Sequence, residues 1–340
     1  MSLFLKIVGG LAIAFLFVLG LFVFWVWWKL RRLAKGIKAS TPTPSTIELT
    51  PDPEAEWVNK DQAKQDLAAL AALGYVRGLT YSVEGMPGVG LVAFTHPDTG
   101  VMACYYDHPA LEKGWFDLCV TLADGVELTI SSAVAGGELD PRPGTDKIRL
   151  PNSTAAELHD RLQQRIKGQA LKRHLPENFA ADFCAAYARD MAWRNAKEGT
   201  SEAEFRRVAA KSGQPHTEEQ LKEGFALTKR KEIEQWSDEI ITAFSKTTTL
   251  PVAEWKKYEG RMFIFRETFH PVAFLAYLDD VISLTPEQAE IYQRQLDEGA
   301  LNPQTLLARI TADTGRQFVK LGEVSEPRPT IIYGASEVKE

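Results

Sequence analysis

Residues 88–108, "GVGLVAFTHPDTGVMACYYDH", decide the reading of the fold, because here the apolar period changes from helical to two. The segment reads as strand, turn, strand. Pro97-Asp98-Thr99-Gly100 carries the residues that a type I turn prefers. "GWFDLCVTLADGVELTISS", residues 114–132, repeats the pattern around Asp124-Gly125. Together these segments predict a four-stranded antiparallel meander. "DPRPG", residues 140–144, reads as a rigid loop, and a short fifth strand is expected at 147–150.

Helical signals bracket the meander. In "NKDQAKQDLAALAALGY", residues 59–75, Asn59 reads as the cap, Gln62 follows three residues on, and Gly74 stops the helix. Ala63, Leu67, Leu70 and Ala71 form its apolar stripe. In "NSTAAELHDRLQQRIKG", residues 152–168, Thr154 and Glu157 make a capping box, and Leu158, Leu162 and Ile166 share one face. A sheet with two helices on one face gives an α+β domain over residues 57–168.

Residues 169–322 show helical patterns and predict an all-helical carboxy-terminal array without a fixed repeat. "AEFRRVAAKSG", residues 203–213, ends at a glycine. Thr217 and Gln220 open a long helix to about Lys246, with Ile233, Trp236, Ile240 and Phe244 on one face. "PVAEWKKYEGRMFIFRE" (251–267), "HPVAFLAYLDDVISL" (270–284), "TPEQAEIYQRQLDEG" (285–299) and "NPQTLLARITADTG" (302–315) each place proline in a first helical turn. Residues 323–340, with Pro327 and Pro329, read as a flexible tail.

Before the α+β domain, residues 7–28 contain no charge, and fourteen of them are Leu, Ile, Val or Phe. As a helix they reach about 33 Å, enough for a hydrocarbon core of about 30 Å. The run is longer than the apolar part of an export signal, and it ends in Trp25, Trp27 and Trp28, which suit the headgroup boundary better than a cleavage site. Residues 1–38 are therefore expected to form a transmembrane anchor with a basic collar of Lys29, Arg31, Arg32, Lys35 and Lys38. The collar outweighs Lys6 and the chain amine, so the positive-inside bias puts the large soluble part in the cytoplasm, at a plasma (inner) membrane. Trp25, Trp27, Trp28, Lys29, Arg31 and Arg32 are the expected interface residues, the lysines and arginines also meeting anionic lipid. Gly10 and Ala14 form a small-xxx-small pair of a kind frequent by chance. Residues 39–56, with four prolines among small polar residues, read as a semi-extended linker.

The chain carries 39 basic and 45 acidic residues. Lys6 and the five collar residues account for six of the basic ones, leaving 33 against 45 beyond residue 38. So acidic a body is a poor binder of phosphate backbones, and no nucleic acid is expected. Three cysteines, Cys104, Cys119 and Cys184, do not make a disulfide framework and fit a reducing compartment. Asn152-Ser153-Thr154 is read as a helix cap before a glycosylation site.

Candidate chemistry is thin. "GMPGVG", residues 85–90, lacks the following helix and the Lys-Ser or Lys-Thr pair of a phosphate loop, so it reads as a turn. His96, Cys104, His108 and Cys119 match no zinc spacing. Asp107 and His108 are neighbours on a strand and face opposite ways, with no nucleophile elbow nearby. Asp279 and Asp280 suit a solvated helix face. Lys167, Lys172, Arg173 and His174 form a basic connector, and Trp115, Trp193, Trp236 and Trp255 suit core or inter-domain packing. No cofactor, metal or catalytic residue is assigned. The expectation is a membrane-tethered scaffold that binds other proteins, with the lipid bilayer met through residues 7–28. The alternative is a membrane-attached enzyme with its site between the two soluble halves.

Overall fold

A computed structural model describes residues 43–337 apart from 56, 59, 110, 112, 135, 212 and 214. The expected membrane span, its interface residues Trp25, Trp27, Trp28, Lys29, Arg31 and Arg32, and the cap Asn59 lie outside the described residues. Among the described residues no helix is long and apolar enough to cross a membrane.

The body from Thr43 onward is mixed α+β. Its first layer is an eight-stranded sheet in the order β1 (Glu48–Pro51), β2 (Val76–Glu84), β3 (Gly90–Thr95), β4 (Met102–Asp107), β5 (Trp115–Leu122), β6 (Glu127–Ser131) and β7 (Thr145–Arg149), with β8 (Leu171–Lys172) against β5. The expected meander is its centre: β3 to β6 pair antiparallel in sequence order. β7 joins parallel to β6. β1 and β2 add to the other edge. β1 lies within the segment read as linker, and a register shift between Arg77 and Thr80 breaks the alternation of β2.

Two helices cover one face, α1 (Lys60–Ala72) and α2 (Ala155–Ile166). The α2 capping box is present: Thr154 accepts from the Glu157 N–H, and the Glu157 carboxylate accepts from the Thr154 N–H. Leu158 and Leu162 are fully buried against Phe94, Leu118, Leu128 and Ile130 of the sheet. The opposite face meets α3 (Phe179–Ala196), whose Phe179 and Phe183 pack with Tyr81, Leu91, Cys104 and Tyr106.

Beyond α3 run α4 (Glu202–Lys211), the 30-residue α5 (Glu218–Thr247), a single turn α6 (Val252–Trp255), α7 (Pro271–Ile282), α8 (Pro286–Asp297) and α9 (Pro303–Thr314). The expectation of an all-helical array needs correction. β9 (Met262–Phe265), β10 (Phe318–Val324) and β11 (Thr330–Ala335) form a three-stranded sheet in the order β10-β11-β9. The proline at 251 starts only one helical turn, and Gly260, at φ +76, ends that local structure before four consecutive apolar residues, "MFIF". Such a run suits a strand buried on both faces. The segment read as a loose tail supplies β11, whose Ile332 is fully buried beside Phe263, Phe274 and Leu278. Arg266 ties this part to α3: its guanidinium donates to Asn195 Oδ1 (2.9 Å) and lies 4.9 Å from the Trp236 ring.

Candidate functional site: a polar chamber beneath helix α3

A sheet face covered by a helix is ordinarily apolar, because water is excluded there and unpaired polar groups are costly. The face under the N-terminal half of α3 follows this rule on β3 and β4, where Leu91, Ala93, Cys104 and Tyr106 are buried. It fails abruptly on β5, β6 and β7. The register sets Asp117 opposite Ser131, Cys119 opposite Thr129 and Thr121 opposite Glu127. It continues with Ser131 opposite Arg149, Thr129 opposite Lys147 and Glu127 opposite Thr145. Directly paired strand residues point to the same face. The result is a three-by-three grid of eight polar side chains and one thiol, with no hydrocarbon side chain among them. The intervening residues Phe116, Leu118, Val120, Leu128 and Ile130 point into the core beneath α1 and α2.

The grid and α3 flank a half-open cleft of about 640 Å³; of the nine grid residues only Ser131 is buried, and Lys147 is exposed. Asp182, Phe183, Tyr187 and Asp190 of α3 line its other wall, and Lys172 and His174 close one end. A charge lattice holds the helix above the grid. Arg142 bridges Glu127 (2.7 Å) and Asp190 (2.8 Å), Lys147 reaches Asp190 (2.8 Å), and Arg189 reaches Glu127 (2.6 Å). Burial disfavours the Asp190 carboxylate, but the hydrogen bonds from Lys147 and Arg142 outweigh it and lower its pKa.

Asp117 is the group least provided for. Its Oδ1 is buried and has no hydrogen-bond partner. Burial raises its pKa, against the Ser131 hydroxyl and the charges of Arg149 and Lys147. The neighbouring Cys119 thiol is pushed up to about 12 by burial and then by the Asp117 charge. At neutral pH it is a protonated, inert thiol rather than a nucleophile.

His174 joins two walls of the cleft. Its Nδ1 lies 2.7 Å from Asp182 Oδ2 and its Nε2 lies 3.0 Å from Thr121 Oγ1. The carboxylate only accepts, which places the proton on Nδ1. In the neutral ring Nε2 then accepts the Thr121 hydroxyl proton.

Other residues singled out from the sequence lie elsewhere. His96 stacks on His159 and meets Tyr75 edge-on, while the Asp107 carboxylate accepts the Val58 N–H at 2.6 Å. Among the described residues no group of three or more His, Cys, Asp or Glu is placed to hold a metal ion. Residues 85–90 form the turn between β2 and β3, with Gly85 and Gly88 at positive φ. Asp279 caps the end of α7 by accepting from the Leu284 N–H, and Asp280 pairs with Arg230. All three cysteines are free thiols. Of the basic connector, Lys172 and His174 reach the cleft, and Arg173 donates to the Pro97 carbonyl at 2.6 Å. Trp115 stacks on Tyr106, Trp236 is buried, and Trp193 lies under Lys197 at 4.7 Å. The grid residues Asp117, Thr121, Ser131, Lys147 and Arg149 were not candidates. The signal for them was the polar half of the period-two pattern in three successive strands. Comparison of the chain with protein-family models, curated proteins and solved structures gives no match to any of them.

Proposed function

We propose that this chain is a membrane-tethered protein whose body binds a polar small molecule, carrying both positive and negative charge, in the cleft beneath α3. The single observation that carries this reading is the nine-position grid of non-hydrocarbon side chains lining a half-open cleft that α3 overhangs. The cleft volume falls in the range of small-molecule sites. Asp117 stands at one corner of the grid with its Oδ1 shielded from solvent, and the cations Lys147 and Arg149 stand on the opposite edge, so both signs of charge border the cleft.

The tether rests on the sequence of residues 7–28 and their tryptophan and basic flank. Docking to other proteins was the first expectation from the sequence, on the ground that no reactive constellation was visible. The cleft supplies such a constellation, so the ligand reading is preferred. The test is native mass spectrometry of the intact chain released from detergent, beside Thr129→Trp, which places an indole at the centre of the grid. A small-molecule adduct on the wild type that is absent from Thr129→Trp supports the reading. Identical, adduct-free spectra count against it.

A further inference from the structure

We infer that Thr121, His174 and Asp182 form a hydrolytic relay, with Thr121 Oγ1 the nucleophile toward a carboxylic ester of the molecule held in the cleft. This deepens the ligand-binding reading and rests on it. The three residues come from β5, from the segment after β8 and from the first turn of α3, and all three line the cleft. The contacts of 3.0 Å and 2.7 Å are those a hydroxyl, an imidazole and a carboxylate need for proton transfer and ring orientation. The imidazole is nearly buried, its side chain 10% exposed, so its orientation is held rather than sampled.

The chemistry balances with water as the only co-reactant. Thr121 Oγ1 bonds to the ester carbonyl carbon as its proton passes to His174 Nε2, and the carbonyl π pair moves to oxygen. Lys172, directly opposite Thr121 in the β5–β8 pair, faces the same cleft and gives positive charge to that oxyanion. On collapse the alkoxide leaves and takes the proton from Nε2, which leaves an acyl-Thr121. Water then attacks the acyl carbon and gives its proton to Nε2. The second collapse releases the carboxylic acid and restores the Thr121 hydroxyl. Asp182 keeps the Nδ1 proton throughout and stabilises the imidazolium.

The experiment uses the full chain in detergent and 4-nitrophenyl acetate. The wild type is expected to give an initial burst of nitrophenolate and an acetylated Thr121 peptide. Thr121→Val is expected to lose at least about 100-fold in rate, the lower end of what a positioned base contributes, while Thr121→Ser retains activity. Asp182→Asn keeps a hydrogen bond at Nδ1 but reverses the tautomer, so it is expected to lose rate with its melting temperature preserved. A purely structural staple would move the melting temperature and leave labelling unaffected. A wild type no faster than Thr121→Val, with no acetyl adduct, overturns the relay. In that case a small-molecule adduct still visible by native mass spectrometry leaves the ligand-binding reading intact.

Discussion

Glu204 sits at the junction that sets the C-terminal end of α3, and neutralising it tests how that helix is held. Its side chain is fully buried. Its carboxylate accepts from the Asp140 N–H (2.7 Å), the Ser201 N–H (2.8 Å), Lys197 (2.7 Å) and Arg194 (3.4 Å). Burial opposes its ionisation, but the hydrogen bond from Lys197 and those from the Ser201 and Asp140 amides win, and its pKa drops from 4.5 to about 2. At about 1.36 kcal/mol per unit this sets a ceiling of roughly 3.4 kcal/mol on the stabilisation from charge. Lys197 and Arg194 remain about one-fifth exposed, so water screens part of it. Glu204→Gln, which like the protonated acid keeps a full acceptor for only one of the two amides, is therefore expected to cost about 2 kcal/mol at pH 7. The folded pKa lies below the unfolded one, so the stabilisation is complete above about 4.5 and is lost as pH falls toward 2. Urea unfolding of both proteins should show a gap near 2 kcal/mol at pH 7 that shrinks by more than half at pH 3. A gap independent of pH, or no gap at pH 7, would refute the assignment of charge as the cause.

Three further perturbations probe other parts of the account. Asp117→Asn should stabilise the fold by about 1 kcal/mol near neutral pH by removing a poorly paired buried charge, while weakening ligand retention. The folded pKa of Asp117 is raised, so this gain should fade as pH drops below that folded value toward the unfolded 3.8, read by urea melts across the range. Gly114→Ala drives a methyl to within 2.6 Å of the Tyr106 carbonyl and against the Tyr105 hydroxyl, and should cost about 1–3 kcal/mol in chemical denaturation. Phe274→Ala empties the centre of the carboxy-terminal core, where the ring is 0% exposed, and should cost about 3–5 kcal/mol by the same assay.

Local chemistry was legible in the sequence. The Thr154–Glu157 and Thr217–Gln220 boxes, and the first-turn prolines Pro271, Pro286 and Pro303, stand at real helix starts because capping is decided within one turn of chain. The turn at 97–100 and the Gly125 turn mark the central hairpins for the same reason. What escaped was non-local. β9 and β11 stabilise each other only by pairing across the intervening helices, and Pro327 and Pro329 concealed β11 as a tail. The grid was visible as alternation, yet alternate polar residues ordinarily face solvent. What sets Asp117 and Thr129 apart is that α3 overhangs part of this face, leaving a half-open cleft at whose rim Lys147 remains exposed. Thr121 and His174 are 53 residues apart, so no spacing rule connects them.

The central claim is that the grid faces open space kept polar for a ligand, not packed protein. Urea unfolding of Thr129→Trp at pH 7 tests it most directly, since Thr129 is the middle position of the grid. An indole entering a cleft of about 640 Å³ should change stability by less than about 0.5 kcal/mol, or raise it. A loss of more than about 2 kcal/mol, the mark of overpacking a filled interior, would contradict the account.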